Sequence, residues 1–260
     1  MTTDADPLVA RLRAAGCVFA EEEADLLRER AGGVDELEEL TGRRLAGESL
    51  EQVVGWVDLG DLRLAVGPGV FVPRQRSLLL VAATTAAVRR AASAAPVLVE
   101  AYAGVAPIAA AVSRAVPTVR VHAVDLDPVA LGYAATNLGP GAGVHRGRGL
   151  TPLPRTLQGA VAVITAVPPY VPDAALDLMP REAREHEDPQ ALLGGRDGLD
   201  HVRTLLAEAP PWLARGGHVL CELGAGQWEA AAAAAAAAGY VVTAPPVGED
   251  QTAILEARRS

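Results

Sequence analysis

Between residues 4 and 50 the apolar positions recur at helical spacing among charges: Leu8, Leu12 and Cys17, then Ala24, Leu27 and Ala31, then Leu37, Leu40 and Leu45. That spacing predicts short amphipathic helices, with Gly32-Gly33 and Gly47 as the breaks. From Val53 to Val72 the pattern changes to alternation, as in LRLAVGPGVFV, and Gly67-Pro68-Gly69 supplies a turn, so this stretch reads as a β-hairpin or extended arm. Beyond Ser77 helical and strand signals alternate. A helix is predicted over 78–92, a buried strand in PVLVEAY (96–102), a helix in IAAAVSRAV, and a second strand in VRVHAV (119–124). Asp127 reads as an N-cap with Pro128 in the first helical turn, and VAVITAV (161–167) and GHVLCEL (217–223) are further strands. The alanines from Ala230 to Ala238 form a structural helix of high propensity. Strands that alternate with helices imply an α/β fold with a largely parallel, doubly wound sheet and a ligand site at the carboxyl ends of its strands. Three segments follow: a helical domain (1–50), a hairpin or linker arm (51–76) and an α/β domain (77–260).

Composition narrows the function. Half of the 260 residues are hydrophobic, which supports a sizeable core, and the formal charge of -9 argues against a phosphate-tracking surface for nucleic acid. Cys17 and Cys221 lie far apart with no metal-ligand spacing, so neither a zinc site nor a disulfide framework is signalled. The N-terminal MTTDADPLVARLRAAG is acidic where a signal peptide is basic, and no apolar run is long enough to span a bilayer; the expected compartment is the cytoplasm, without a membrane partner. No Ser-His-Asp set or phosphate-binding loop emerges, so hydrolase and kinase readings have no support. Oligomeric state is not legible.

Several segments resemble one family in order and spacing. RLAGESLEQVVGW (44–56) with LRLAVGPGVFVPR (62–74) is similar to the segment joining the two domains of HemK/PrmC proteins. VPPY (167–170) stands where that family has NPPY, and ALLGGRDGLDHVR (191–203) is similar to its Gly-Gly-x-Asp-Gly-Leu segment. LARGGHVLCELGAGQ (213–227) resembles its Pro-Gly-Gly, Glu-Ile-Gly and Gln signature, and VPRQRS resembles the branch with Val-Pro-Arg-x-Arg-Thr in place of Val-Pro-Arg-Pro-Glu-Thr. The resemblance implies a class I (Rossmann-like) methyltransferase with a mostly parallel seven-stranded sheet behind a small N-terminal helical domain. It also implies S-adenosylmethionine as methyl donor and a glutamine side-chain amide, or another small nucleophile, as acceptor.

Where the family has Asp-Leu-Gly-x-Gly-x-Gly, this chain reads Glu100-Ala101-Tyr102-Ala103-Gly104-Val105-Ala106. By resemblance Glu100, Tyr102, Gly104 and Ala106 line the donor site. Tyr102 brings a ring into the space the methionine moiety needs, and a positive φ at that residue is unfavourable. Asp125 matches the acid that accepts the ribose hydroxyls. Arg148 stands at an acid near the adenine, where it pairs with Asp125 and closes the pocket, meets an anionic ligand, or is solvated. At the reacting site Val167, Pro168, Pro169 and Tyr170 match NPPY, but Val167 cannot accept a hydrogen bond, leaving the Pro168 carbonyl and the Tyr170 ring. Arg74 and Glu187 match a family arginine and acid on the substrate side, Arg74 either contacting substrate or bracing the arm. His186 reads as a loop residue and His201 as surface. Three functions remain: a methyltransferase, the same fold turned to non-methylating small-molecule chemistry, and a non-catalytic binding protein.

Overall fold

The computed structural model describes residues 6–178, 193–243 and 251–260. Asp6 caps the first helix by accepting from the Leu8 amide (3.0 Å), with Pro7 in the first turn. Helices α1 (Pro7–Ala14), α2 (Ala20–Arg30), α3 (Val34–Leu45) and α4 (Leu50–Val54) close around Leu12, Leu27, Leu40, Val53 and Val54. The predicted apolar faces are therefore the ones that meet. Helix α4 carries the helical region past residue 50, capped by Ser49 and ended by Gly55 in the left-handed region (φ 92°).

The arm holds a hairpin, β1 (Trp56–Leu59) and β2 (Leu62–Ala65). Its turn is Gly60-Asp61, since Leu59 pairs with Leu62. The predicted turn at Gly67-Pro68-Gly69 lies beyond the hairpin, and the reason for Gly67 is packing: a Cβ there would sit 1.9 Å from the Tyr133 hydroxyl. Val57, Leu59, Leu64, Val66, Val70 and Val72 bury against Val105, Ala110 and Ala130, so the arm is part of the core.

After α5 (Leu78–Arg90) the strands β3 (Val97–Ala101), β4 (Arg120–Asp125), β5 (Gly143–Arg146), β6 (Val161–Ala166), β7 (Leu213–Gly224), β8 (Tyr240–Thr243) and β9 (Thr252–Arg259) form one sheet in the order β5-β4-β3-β6-β7-β9-β8. β9 runs antiparallel to both neighbours, and the remaining pairings are parallel. Helices α6 (Pro107–Ala115) and α7 (Pro128–Leu138) connect the first strands, and α8 (Asp200–Glu208) and α9 (Trp228–Ala237) the later ones. Both faces are covered. On β3, Val97, Val99 and Ala101 join the cluster with Leu205, Ala231 and Ala235, while Leu98 joins the opposite cluster with Leu80, Ile108 and Leu131. This two-sided burial explains why the central strands read as continuous apolar runs. The short β5, β8 and the antiparallel β9 are not among the strands predicted one by one.

Candidate functional site

The strand order reverses between β3 and β6, so the loops leaving their carboxyl ends diverge and open a crevice. There lies a cavity of about 690 Å³, a size suited to a small-molecule ligand. Arg74, Glu100, Tyr102, Gly104, Asp125, Arg148 and the whole Val167–Tyr170 turn line it. Ala106 is fully buried and takes no part in the wall. Glu187 and His186 lie outside the described residues.

The loop after β3 keeps the backbone of a glycine-rich turn with a single glycine. Tyr102, Gly104 and Ala106 all have positive φ, at 52°, 52° and 59°. For Tyr102 and Ala106 this costs about 1–2 kcal/mol each, because an L side chain in the left-handed region crowds its own carbonyl. A Cβ on Gly104 would meet nothing within 4 Å. The Tyr102 ring is part of the cavity wall. It packs on the core and meets the edge of His201, with ring centres 5.2 Å apart, and burial pushes its hydroxyl up to about 12. His201, expected on the surface, is thus part of the cavity wall, with Nε2 3.3 Å from the Leu193 carbonyl.

The two acids act on the backbone around the cavity. Asp125, at the end of β4, accepts from the Gly104 amide (2.7 Å) and, through its other oxygen, from the Asp127 amide (2.9 Å). Its carboxylate therefore fixes the loop while keeping lone pairs for a further donor. Asp127 caps α7 as predicted, accepting from Val129 (2.8 Å). Glu100 is buried, and its two oxygens accept from the Ile108 (3.2 Å) and Ala109 (2.6 Å) amides at the start of α6. Burial raises its carboxyl to about 8, against the pull of these two amides. Among the described residues Arg148 forms no ion pair with Asp125, so the pocket is not closed that way.

The Val167–Tyr170 turn is held by residues whose role was not legible. A Cβ on Gly194 would come within 2.5 Å of the Pro169 carbonyl, and one on Gly198 within 2.2 Å of the Tyr170 carbonyl. The glycine segment is therefore glycine because two backbones touch. Gln227 donates to the carbonyls of Tyr170 (2.8 Å) and Asp197 (2.9 Å) and accepts from the Gly224 amide (3.0 Å), tying turn, glycine segment and strand end together. Glu222, 1% exposed, receives the Tyr170 hydroxyl and Arg76 Nε on the same oxygen, each at 3.3 Å. Arg74 lies 5.3 Å over the Phe71 ring. Gln227, Glu222 and the glycines stood within segments that carried the resemblance. Gly224 apart, their partners are 25 to 146 residues away in sequence, and spacing does not encode such contacts.

Among the described residues no group of three or more His, Cys, Asp or Glu is placed to hold a metal ion, and no helix is long and apolar enough to cross a membrane. No family model matches the chain. Among solved structures, a methyltransferase from Pyrococcus furiosus superposes with a TM-score of 0.55 at 18% identity, covering 86% of this chain and 99% of that one. The ribosomal protein L11 methylase of Lactobacillus delbrueckii subsp. bulgaricus gives 0.54 at 12%, over 79% and 99%. These establish the fold: a class I, Rossmann-like α/β sheet. Among curated proteins, the release factor glutamine methyltransferase of Streptomyces coelicolor is 38% identical over 71% of this chain and 66% of its own length. That of Gloeobacter violaceus is 38% identical, covering 78% and 74%, and that of Mycolicibacterium smegmatis 34%, covering 85% and 84%. A 4-amino-L-phenylalanine/4-methylamino-L-phenylalanine methyltransferase of Streptomyces pristinaespiralis is 35% identical over 71% of this chain and 64% of its own length. With sheet order, switch-point cavity and sequence identity in agreement, this chain belongs to the release factor glutamine methyltransferase (HemK/PrmC) family.

Proposed function

We propose that this chain transfers a methyl group from S-adenosylmethionine to the nitrogen of a planar amide or amine seated against the Val167–Tyr170 turn. One observation carries the reading: the left-handed loop presents Tyr102 and Gly104, with Asp125 bonded to the Gly104 amide, to a cavity of about 690 Å³ that also reaches the Val167–Tyr170 turn. The residues present fit the donor. Gly104 presents backbone without a side chain, Asp125 retains acceptor capacity for a ribose, and Phe71 and Tyr170 give an apolar wall.

Bound there, S-adenosylmethionine would supply a sulfonium methyl electrophilic enough to need little acid or base assistance. The chain's task is orientation and the exclusion of water. The Pro168 carbonyl accepts no backbone hydrogen bond among the described residues and is the acceptor left for a substrate N–H, while Val167 offers none. An amide hydrogen facing Val167 without a partner costs about 1–3 kcal/mol. A release-factor glutamine, the substrate named for the relatives, is the first acceptor to test. The valine favours a second reading within the same chemistry, an arylamine such as the one named for the Streptomyces pristinaespiralis relative.

Calorimetric titration with S-adenosylmethionine, followed by transfer of labelled methyl to a release factor and to 4-amino-L-phenylalanine, tests the proposal. Micromolar binding and label in one acceptor are the expected results. No heat at millimolar donor would overturn the reading in favour of a non-methylating or non-catalytic protein.

A further inference from the structure

Beside Arg74 and Arg148 the cavity carries a third arginine, Arg76, whose placement the donor site does not explain. Arg76 occupies the position that is glutamate in the Val-Pro-Arg-Pro-Glu-Thr pattern, so the local charge is reversed. The side chain lines the cavity and lies over the Tyr170 ring, 5.9 Å from its centre. Its Nε donates to Glu222 Oε1 at 3.3 Å, the Tyr170 hydroxyl is a second, weaker side-chain partner, and Glu222 is its carboxylate partner among the described residues. The arginine side chain is 38% exposed and the glutamate 1%. Glu222 Oε2 is buried without a partner.

This is not how a guanidinium is held when its purpose is to neutralise a buried acid. Such a pair is two-pronged, because the parallel N–H edge matches both carboxylate oxygens and an orphaned buried oxygen is costly. Here Glu222 holds Arg76 by the inner nitrogen and Tyr170 supports its face, which fixes the plane of the group and leaves the outer fork without a carboxylate partner among the described residues. A fork fixed in this way matches a planar, singly charged anion. The adjoining wall, with Phe71, Pro73, Val167 and Tyr170, is apolar and suits one carboxylate better than a polyphosphate.

Resting on the methyl-transfer reading, we propose that Arg76 seats an amino-acid carboxylate at the reacting end of the cavity, with Glu222 and Tyr170 as its positioning residues. The carboxylate comes from the methionine part of the donor or from an amino-acid acceptor. The chemistry at Arg76 is the same in both cases.

The test is calorimetry on the full chain and its Arg76→Gln variant, with Arg76→Lys to keep charge but not the fork. The ligands are S-adenosylhomocysteine, methylthioadenosine, which lacks the amino-acid portion, and 4-amino-L-phenylalanine added to protein saturated with S-adenosylhomocysteine. Loss of a charge-assisted pair predicts about tenfold to hundredfold weaker binding in Arg76→Gln, partly recovered in Arg76→Lys, for one carboxylate ligand only. Weakened S-adenosylhomocysteine with unchanged methylthioadenosine assigns the seat to the donor. Weakened 4-amino-L-phenylalanine with both nucleosides unchanged assigns it to the acceptor. Equal affinity of parent and variant for both carboxylate ligands overturns the seat while leaving the methyl-transfer reading intact. An equal loss for methylthioadenosine overturns it too, as a general collapse of the cavity. If the parent protein binds neither carboxylate ligand, the seat and the functional reading fall together.

Discussion

Replacing Gln227 with leucine removes three hydrogen bonds at once while keeping the side chain's bulk. The carbonyls of Tyr170 and Asp197 and the amide of Gly224 lose their partner at 2.8, 2.9 and 3.0 Å. Each such bond contributes about 0.5–1.5 kcal/mol net, and the site is half-buried, so water recovers part of the loss; the expected destabilisation is about 2–4 kcal/mol. In a chain of this size that lowers the melting temperature by roughly 4–15 °C. Activity should suffer beyond stability. The released carbonyl belongs to Tyr170, and a displacement of about 1 Å in a group that orients the nucleophile costs on the order of a hundredfold in kcat. Gln227→Glu separates the two effects, since it keeps an acceptor for Gly224 but turns a carboxylate oxygen toward two carbonyls. It should lower kcat at least as far as leucine does, with donor affinity held within threefold in both variants. The assays are thermal unfolding, calorimetric binding of S-adenosylhomocysteine and steady-state methyl transfer at temperatures where each variant is folded. A leucine variant that melts within about 2 °C of the parent and retains its kcat would show that the turn is fixed without Gln227, and the reasoning would be wrong.

Three further outcomes follow from the same geometry. Glu100, raised to about 8 in the fold from an ordinary value of 4.5, keeps its proton in the native state at pH values where the unfolded chain has lost it. Its contribution to stability is therefore full below about pH 4.5 and is lost as pH rises toward 8, with a limiting slope of about 1.4 kcal/mol per pH unit that Glu100→Gln should remove. Chemical denaturation across that window with no difference in slope between the two proteins would mean that Glu100 is ionised on the α6 amides. Tyr102→Gly relieves about 1–2 kcal/mol of left-handed strain but loses the packing on His201, so stability should change by less than about 2 kcal/mol. Donor affinity should stay within threefold, because a cavity of about 690 Å³ exists with the ring in its wall; a tenfold gain would show that the ring obstructs the donor. Val167→Asn restores an acceptor beside the Pro168 carbonyl and should raise the rate on a glutamine amide about tenfold to hundredfold, with little effect on an arylamine. An equal gain on both acceptors would refute the role given to the valine.

The sequence by itself determined the alternation of strands and helices, because burial on two faces writes continuous apolar runs and burial on one writes a helical period. It also determined the family, through motifs whose order survives even where single residues change, and it gathered ten of its twelve site residues around what proves to be one cavity. Tertiary structure decided what those residues do. Asp127 read correctly as a cap because its partner is two residues away, whereas Glu100 and Gln227 act on amides and carbonyls that only the fold brings near. Gly67-Pro68-Gly69 does form a turn, with the Val70 amide on the Gly67 carbonyl, but the hairpin closes earlier, at Gly60-Asp61, and Gly67 has the further reason that a side chain has no room beside Tyr133. For Tyr102 the letter specifies a residue's volume and not its direction. The fold sets that ring in the cavity wall, packed on the core and against the edge of His201.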